Sequence, residues 1–121
     1  YCVATGKALL AWREQPAVQL MTVRPLQVYT PTTLADTSAL AMELDRVRQQ
    51  GYAVNRGEWR ASVWGIAAPV FDERQRVVAA LGISGPAERI RARGVKRLAE
   101  LVVQAARQAS SRQLALAGEA R

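Results

Sequence analysis

Two apolar runs rich in Val, Ile, Leu and Ala, residues 63–71 and 77–84, are separated only by a short polar stretch that begins Asp72-Glu73-Arg74-Gln75. A connection from Asp72 to Gln75 joins neighbouring strands as a hairpin, so the sheet in this chain is antiparallel at that point. Val77 to Ser84 is the clearer strand. Val63 to Phe71 is longer and more mixed, and Pro69 near its end predicts a bulge or an edge position. A third, short strand is expected over Tyr52 to Asn55, with Gly57 limiting its extension.

The segments around these strands have helical periodicity. Leu40, Leu44 and Val47 fall on one stripe, Asp36, Thr37 and Ser38 offer N-caps, and Gly51 is placed to end the helix in a left-handed conformation. Glu43 and Asp45 precede Arg46 and Arg48, an order that suits the helix dipole. Near the start, Thr5 is expected to cap a short helix with Ala8, Leu9 and Trp12 on one face, stopped or redirected at Pro16. A further turn or two carries Val18 and Met21 before Pro25. Val28 to Leu34 reads as extended chain and turn, since Pro31 biases Thr30 away from the helical region. After Gly85-Pro86 a long helix is expected from about Ala92 to Leu114. Val95, Leu98, Val102, Ala105 and Ala109 form its buried side, Gly94 weakens its first turn, and the tail from Leu116 to Arg121 frays. This order means an α+β fold. Three strands are few for this many helices, and the chain starts at Tyr1 rather than at a methionine, so a missing N-terminal part is expected.

Composition sets outer bounds. The 121 residues fit one domain, and 50% hydrophobic with 22% charged residues is a globular balance. Only 6% are aromatic, so the core is built from Ala, Val, Leu and Ile. Cys2 is the single cysteine, which rules out an intrachain disulfide or a thiolate metal cluster and fits the cytoplasm. The longest apolar stretch, Val77 to Ile83, is too short to span a bilayer, and no signal peptide opens the chain. The formal net charge is +7. Arg89, Arg91, Arg93, Lys96, Arg97, Arg107, Arg112 and Arg121 crowd the last third. They form either the solvated face of a terminal helix or a surface for DNA or an acidic partner.

Catalytic chemistry has little to work with. There is no histidine, which removes the commonest general base and metal ligand. Gly82-Ile83-Ser84-Gly85 superficially resembles a nucleophile elbow, but it lacks the second glycine spacing and Ser84 has no base. Gly6-Lys7-Ala8 has no glycine upstream to make a phosphate loop. The chain is therefore read as no enzyme, with no cofactor and no metal site. What the late strands do carry is very small residues: Gly65, Ala67 and Pro69 share one face, and Gly82 and Ser84 share a face of the next strand. Such a face either lets a helix pack closely or forms the floor of a ligand cavity. Trp64 should point opposite to Gly65. Trp12 and Trp59 are core or interface by default, with a lid role open for Trp59.

Five ordered stretches carry a family resemblance. Gly6-Lys7-Ala8-Leu9-Leu10-Ala11 resembles the "GKALLA" helix of IclR-family effector domains, and Tyr29-Thr30-Pro31-Thr32-Thr33-Leu34 resembles their "YTPxTL" segment. Leu44 to Val54 is similar to their helix-to-strand junction. Ile66 to Asp72 and Val77 to Pro86 are similar to their paired late strands. The resemblance covers nearly the whole chain. It implies a GAF-like (profilin-like) antiparallel sheet flanked by helices, partial here, with 1–121 a fragment of the effector-binding domain. The N-terminal winged helix-turn-helix and the early strands are expected to be absent, which leaves a sheet edge without its partner.

By position, the family's effector contacts fall on Ala4, Thr5, Asn55, Gly65, Gly82 and Ser84. Asn55-Arg56 stands where the family pattern is acidic, so the resemblance implies a less negative pocket. The expected effector is a small organic acid, aromatic acids included. Asn55 and Ser84 would serve as donors, with Arg56, Arg60 or Trp59 as counter-charge or lid. The full-length protein is expected to bind DNA through the absent domain, as a homodimer or homotetramer, away from the membrane. Ligand binding would shift operator affinity. Two rival readings are a GAF-like sensor of another signalling protein and a basic architectural nucleic-acid-binding domain.

Overall fold

The computed structural model describes residues 1–13 and 26–119. The expected turns around Val18 and Met21 lie outside the described residues. The elements run α1 (Ala4–Leu10), α2 (Thr37–Gln50), β1 (Ala53–Arg56), β2 (Val63–Phe71), β3 (Val77–Pro86), α3 (Ala87–Arg93) and α4 (Val95–Glu119). The strands form one antiparallel sheet in the order β1-β2-β3.

α2 follows its sequence pattern closely. Asp36 caps it, accepting from the Ala39 N–H at 3.0 Å, a bond worth about 1 kcal/mol. Leu40, Leu44 and Val47 are its buried stripe, and Gly51 ends it at φ 85°. Glycine adopts that left-handed conformation without a Cβ penalty.

The sheet carries a core on each face. α1 and α2 cover one, with Ala4, Ala8, Ala11, Leu40, Leu44, Val47, Ala53 and Ala67 packed together. α3 and α4 cover the other, over Val54, Ile66, Ala68, Val70, Ile90, Ala99, Val102 and Ala106. β2 is sealed from both sides, so its burial is continuous rather than alternating. Pro69 lies past the last β1 pair, Ala53–Ala67, where one side of β2 is an edge that tolerates a residue lacking an N–H. The ladder also slips between Val70 and Phe71. β3 is the outer strand, and Gly82, Ile83 and Ser84 are exposed along it.

Several expectations shift. α1 starts at Ala4, with Val3 rather than Thr5 at its N-cap and no side-chain cap. Its buried face is Ala4, Lys7 and Ala8, while Leu9 is 39% exposed, because Lys7 finds buried partners that Leu9 lacks. β1 sits one residue later than expected and β3 runs on to Pro86. The single late helix is two: α3 ends at Gly94, whose φ 91° and ψ 120° break the helical path. α4 then continues past the expected end at Leu114 to Glu119.

Candidate functional site

Register brings the small residues together. Asn55 lies opposite Gly65, and Gly65 opposite Ser84. Directly opposed residues share a face, with Cβ positions about 4.5–5.5 Å apart. An amide and a hydroxyl therefore flank a position that has no side chain. In the next row on that face, Ala53, Ala67 and Gly82 stand side by side. The first turn of α1 lies over both rows. Between them is a cleft of about 180 Å³.

Ala4, Thr5, Asn55, Gly65, Gly82 and Ser84 all line this cleft, with Val3, Val63, Trp64 and Ile83 completing the wall. The two glycines play different parts. A Cβ on Gly82 would come within 2.8 Å of the Ile66 carbonyl and 3.2 Å of Thr5 Cγ2, so this glycine allows close helix-on-sheet contact. A Cβ on Gly65 would meet the Ile83 carbonyl at 3.2 Å and Ala4 Cβ at 3.5 Å, a less severe approach, at the centre of the polar row. Close packing and a cleft floor thus occur on the same face.

Asn55 is the buried polar group of the cleft, only 3% exposed. Its Oδ1 accepts the Glu58 backbone N–H at 2.7 Å. Its Nδ2 makes no hydrogen bond among the described residues, yet it is not sealed from solvent. Glu58 is itself buried and gripped by Lys7, whose Nζ lies 2.7 Å from Oε1 and 2.8 Å from Oε2. The Oε2 bond has hydrogen-bond geometry; the Oε1 contact is ionic only, leaving that oxygen without a hydrogen-bond donor. Lys7 also donates to the Val54 carbonyl at 2.8 Å, and Oε2 accepts the Arg56 N–H at 3.2 Å. Hydroxyls of the 30–33 turn complete the frame: Thr32 donates to the Gly57 carbonyl at 2.9 Å and Thr33 to the Glu58 carbonyl. Sequence reasoning missed this ion pair. The signal was present, because Ala4, Lys7, Ala8 and Ala11 at helical spacing put the lysine inside an apolar stripe.

The expected counter-charges do not reach the cleft. Strand alternation sends Arg56 to the face opposite Asn55, where its Cζ lies 5.8 Å from the Trp64 ring centroid. Arg91 approaches the same ring at 5.0 Å. Trp64 thus packs on the α3–α4 side, opposite Gly65 as its position requires. Arg60 stacks on Trp59 at 4.4 Å, and neither borders the cleft. Among the described residues, no charged side chain lines it. A larger groove of about 460 Å³ lies between the end of α2 and α4, lined by residues such as Gln50, Tyr52 and Arg107. None of the buried polar residues Lys7, Asn55 and Glu58 borders it.

Comparison with known proteins decides the family. The profile described as "Bacterial transcriptional regulator IclR C-terminal" matches residues 1–111. The chain belongs to the IclR family. Among relatives of this IclR-family domain, the HTH-type transcriptional regulator KdgR of Escherichia coli K12 is 37% identical over 112 residues, covering 92% of this chain and 43% of KdgR. The HTH-type transcriptional repressor AllR of Salmonella typhi is 42% identical over 86 residues, covering 70% and 32%. The crystal structure of the C-terminal domain of E. coli KdgR superposes with a TM-score of 0.83 at 36% identity, over 93% of this chain and 70% of that one. The IclR-family chain thus spans less than half the length of these curated relatives. Among the described residues, no helix is long and apolar enough to cross a membrane.

Proposed function

We propose that this chain is the effector-sensing part of a DNA-binding transcriptional regulator, and that the cleft beneath α1 receives the effector. The observation that carries this reading is Asn55, a nearly buried amide whose nitrogen has no protein acceptor among the described residues and which lines a cleft together with the hydroxyl-bearing Thr5 and Ser84. A group of this kind is stabilised by a ligand that supplies the missing acceptor. Residues 1–121 serve as a fragment of the effector-binding domain, and a winged helix-turn-helix elsewhere in the full-length protein binds DNA. The regulator works in the cytoplasm as a homodimer or homotetramer. Its role is sensing rather than catalysis, in keeping with a chain that has no histidine.

The effector is a small organic acid. With Arg56 and Arg60 elsewhere, its carboxylate is met by the neutral donors Asn55, Thr5 and Ser84. Size is limiting: a cavity of about 150 Å³ holds benzene, so a cleft of about 180 Å³ takes a compact aliphatic acid or one small ring. Binding acts by linkage, shifting the regulator between states of different operator affinity only as far as the acid's affinity for those states differs.

Titration calorimetry of the full-length protein against aliphatic and aromatic carboxylates tests this reading. Thr5→Val and Ser84→Ala, which remove one hydroxyl each, should weaken the best carboxylate by up to about tenfold. Tightest binding by a cationic compound, or indifference to both substitutions, would refute it.

A further inference from the structure

We infer that the groove between the end of α2 and α4 receives α4 of a second copy of this chain, the two helices running antiparallel about a two-fold axis level with Val103 and Gln104. This rests on the homo-oligomer reading above and deepens it, because it names the surface through which copies meet and the geometry of their contact.

One stripe of α4 forms a wall of this groove. Glu100, Val103, Gln104 and Arg107 recur there at steps of three and four, so they stack on one face of the helix. Tyr52, just beyond the end of α2, stands across from them. Tyr52 and Val103 pack against the core beneath, yet both stay partly exposed in the groove. Glu100 and Arg107 mark the two ends of the stripe. Both are exposed, and neither has an ion-pair partner among the described residues. Lys96 and Arg97 lie within a turn of Glu100, but a cation N-terminal to its acid is the weaker helical order.

A chain with a formal net charge of +7 repels its own copies, so they meet where charge is locally balanced. Residues 95–112 hold four bases and one acid, Glu100. In an antiparallel pair centred between Val103 and Gln104, residues equally far from that point in the two copies stand level. Glu100 then meets Arg107 of the second copy, and symmetry repeats the contact. Lys96 and Arg97 fall level with Ser111 and Ser110, and Arg112 with Val95, so no base meets a base. A parallel pair in matched register does the reverse, setting Glu100 against Glu100 and Arg107 against Arg107. The stripe is thus complementary to itself in one orientation. Val103 and Gln104 fill the centre, between helix axes about 8–10 Å apart.

The test uses the full-length protein. Glu100→Arg and Arg107→Glu each set like charges face to face at two symmetric points. Each should raise the dissociation constant of the assembly about tenfold or more in sedimentation velocity. Glu100→Arg/Arg107→Glu restores opposite pairs and should return it to within about threefold of the wild type. A second readout is geometric and uses a background without other cysteines. Gln104→Cys lies within about 2 Å of its copy along the helix and should be joined by a short bismaleimide, whereas Ser111→Cys on the same stripe is about 22 Å away and should not. If the wild type sediments as a monomer at every concentration, the homo-oligomer reading and this inference fall together. If it assembles but Gln104→Cys is not joined, or the single swaps change nothing, the α4 pairing is overturned and the homo-oligomer reading stands. A double swap no better than the singles, or joined Ser111→Cys copies, overturns the antiparallel register.

Discussion

Replacing Lys7 by methionine should be one of the most damaging single changes in this domain, and the structure shows why. Lys7 is 1% exposed and Glu58 5%, with the ammonium 2.7–2.8 Å from both carboxylate oxygens. At about 3 Å and an effective dielectric near 20, their attraction is about 5–6 kcal/mol. Desolvation costs several kcal/mol per ion, so the intact pair contributes little net stability. Removing one partner is a different matter. Lys7→Met leaves a buried carboxylate with only the Arg56 N–H, a loss of about 3–5 kcal/mol. Against a total stability of about 5–15 kcal/mol, that is a large share. Urea unfolding followed by tryptophan fluorescence gives the measurement. With a slope near 2 kcal/mol/M, the midpoint should fall by about 2 M. Lys7→Met/Glu58→Met should recover most of this, because the one carboxylate that then loses its cation, Glu43 at 3.9 Å from Lys7 Nζ, is partly exposed to water. A loss below about 1 kcal/mol in the single variant, or a double variant less stable than the single, would refute the reasoning.

Other consequences can be checked in parallel. Gly82→Ala forces a Cβ to 2.8 Å from the Ile66 carbonyl and should cost about 1–3 kcal/mol, whereas Gly85→Ala, with nothing within 4 Å, should stay within about 0.5 kcal/mol in the same unfolding assay. Gly94→Ala places a side chain at φ 91° and ψ 120°, a region nearly exclusive to glycine; a melting curve should show about 1–3 kcal/mol lost. In the β2–β3 hairpin, the Arg76 backbone N–H, followed by the Arg74 N–H and the Arg76 guanidinium, holds Asp72 below the usual carboxylate range. A depressed folded-state value stabilises above the unfolded value of about 3.9 and is lost as pH falls through the folded one. Asp72→Asn should therefore flatten the acid limb of the stability–pH curve, and an unchanged limb would count against these bonds.

Much of the architecture is written locally. The Leu40–Leu44–Val47 stripe with Asp36 and Gly51 at its ends, and the hairpin around Asp72, need only neighbouring residues to specify them, and both occur as read. Gln75 holds φ 61° at that hairpin, where a glycine is usual. The small residues of the late strands were equally legible, but not their meaning, because a missing side chain signifies packing or space according to what lies across it. Only the register, which sets Asn55, Gly65 and Ser84 in one row, and the seat of α1 above them decide that both glycines border a cleft and that Gly82 is the more tightly packed of the two. The same holds for charge. Arg56 is adjacent to Asn55 in the chain yet on the other face of the sheet, while Lys7 and Glu58, far apart in sequence, share a buried contact. Periodicity is a short-range property and can be read along the chain; which charges meet depends on how distant segments pack, and that is settled only when the whole domain folds.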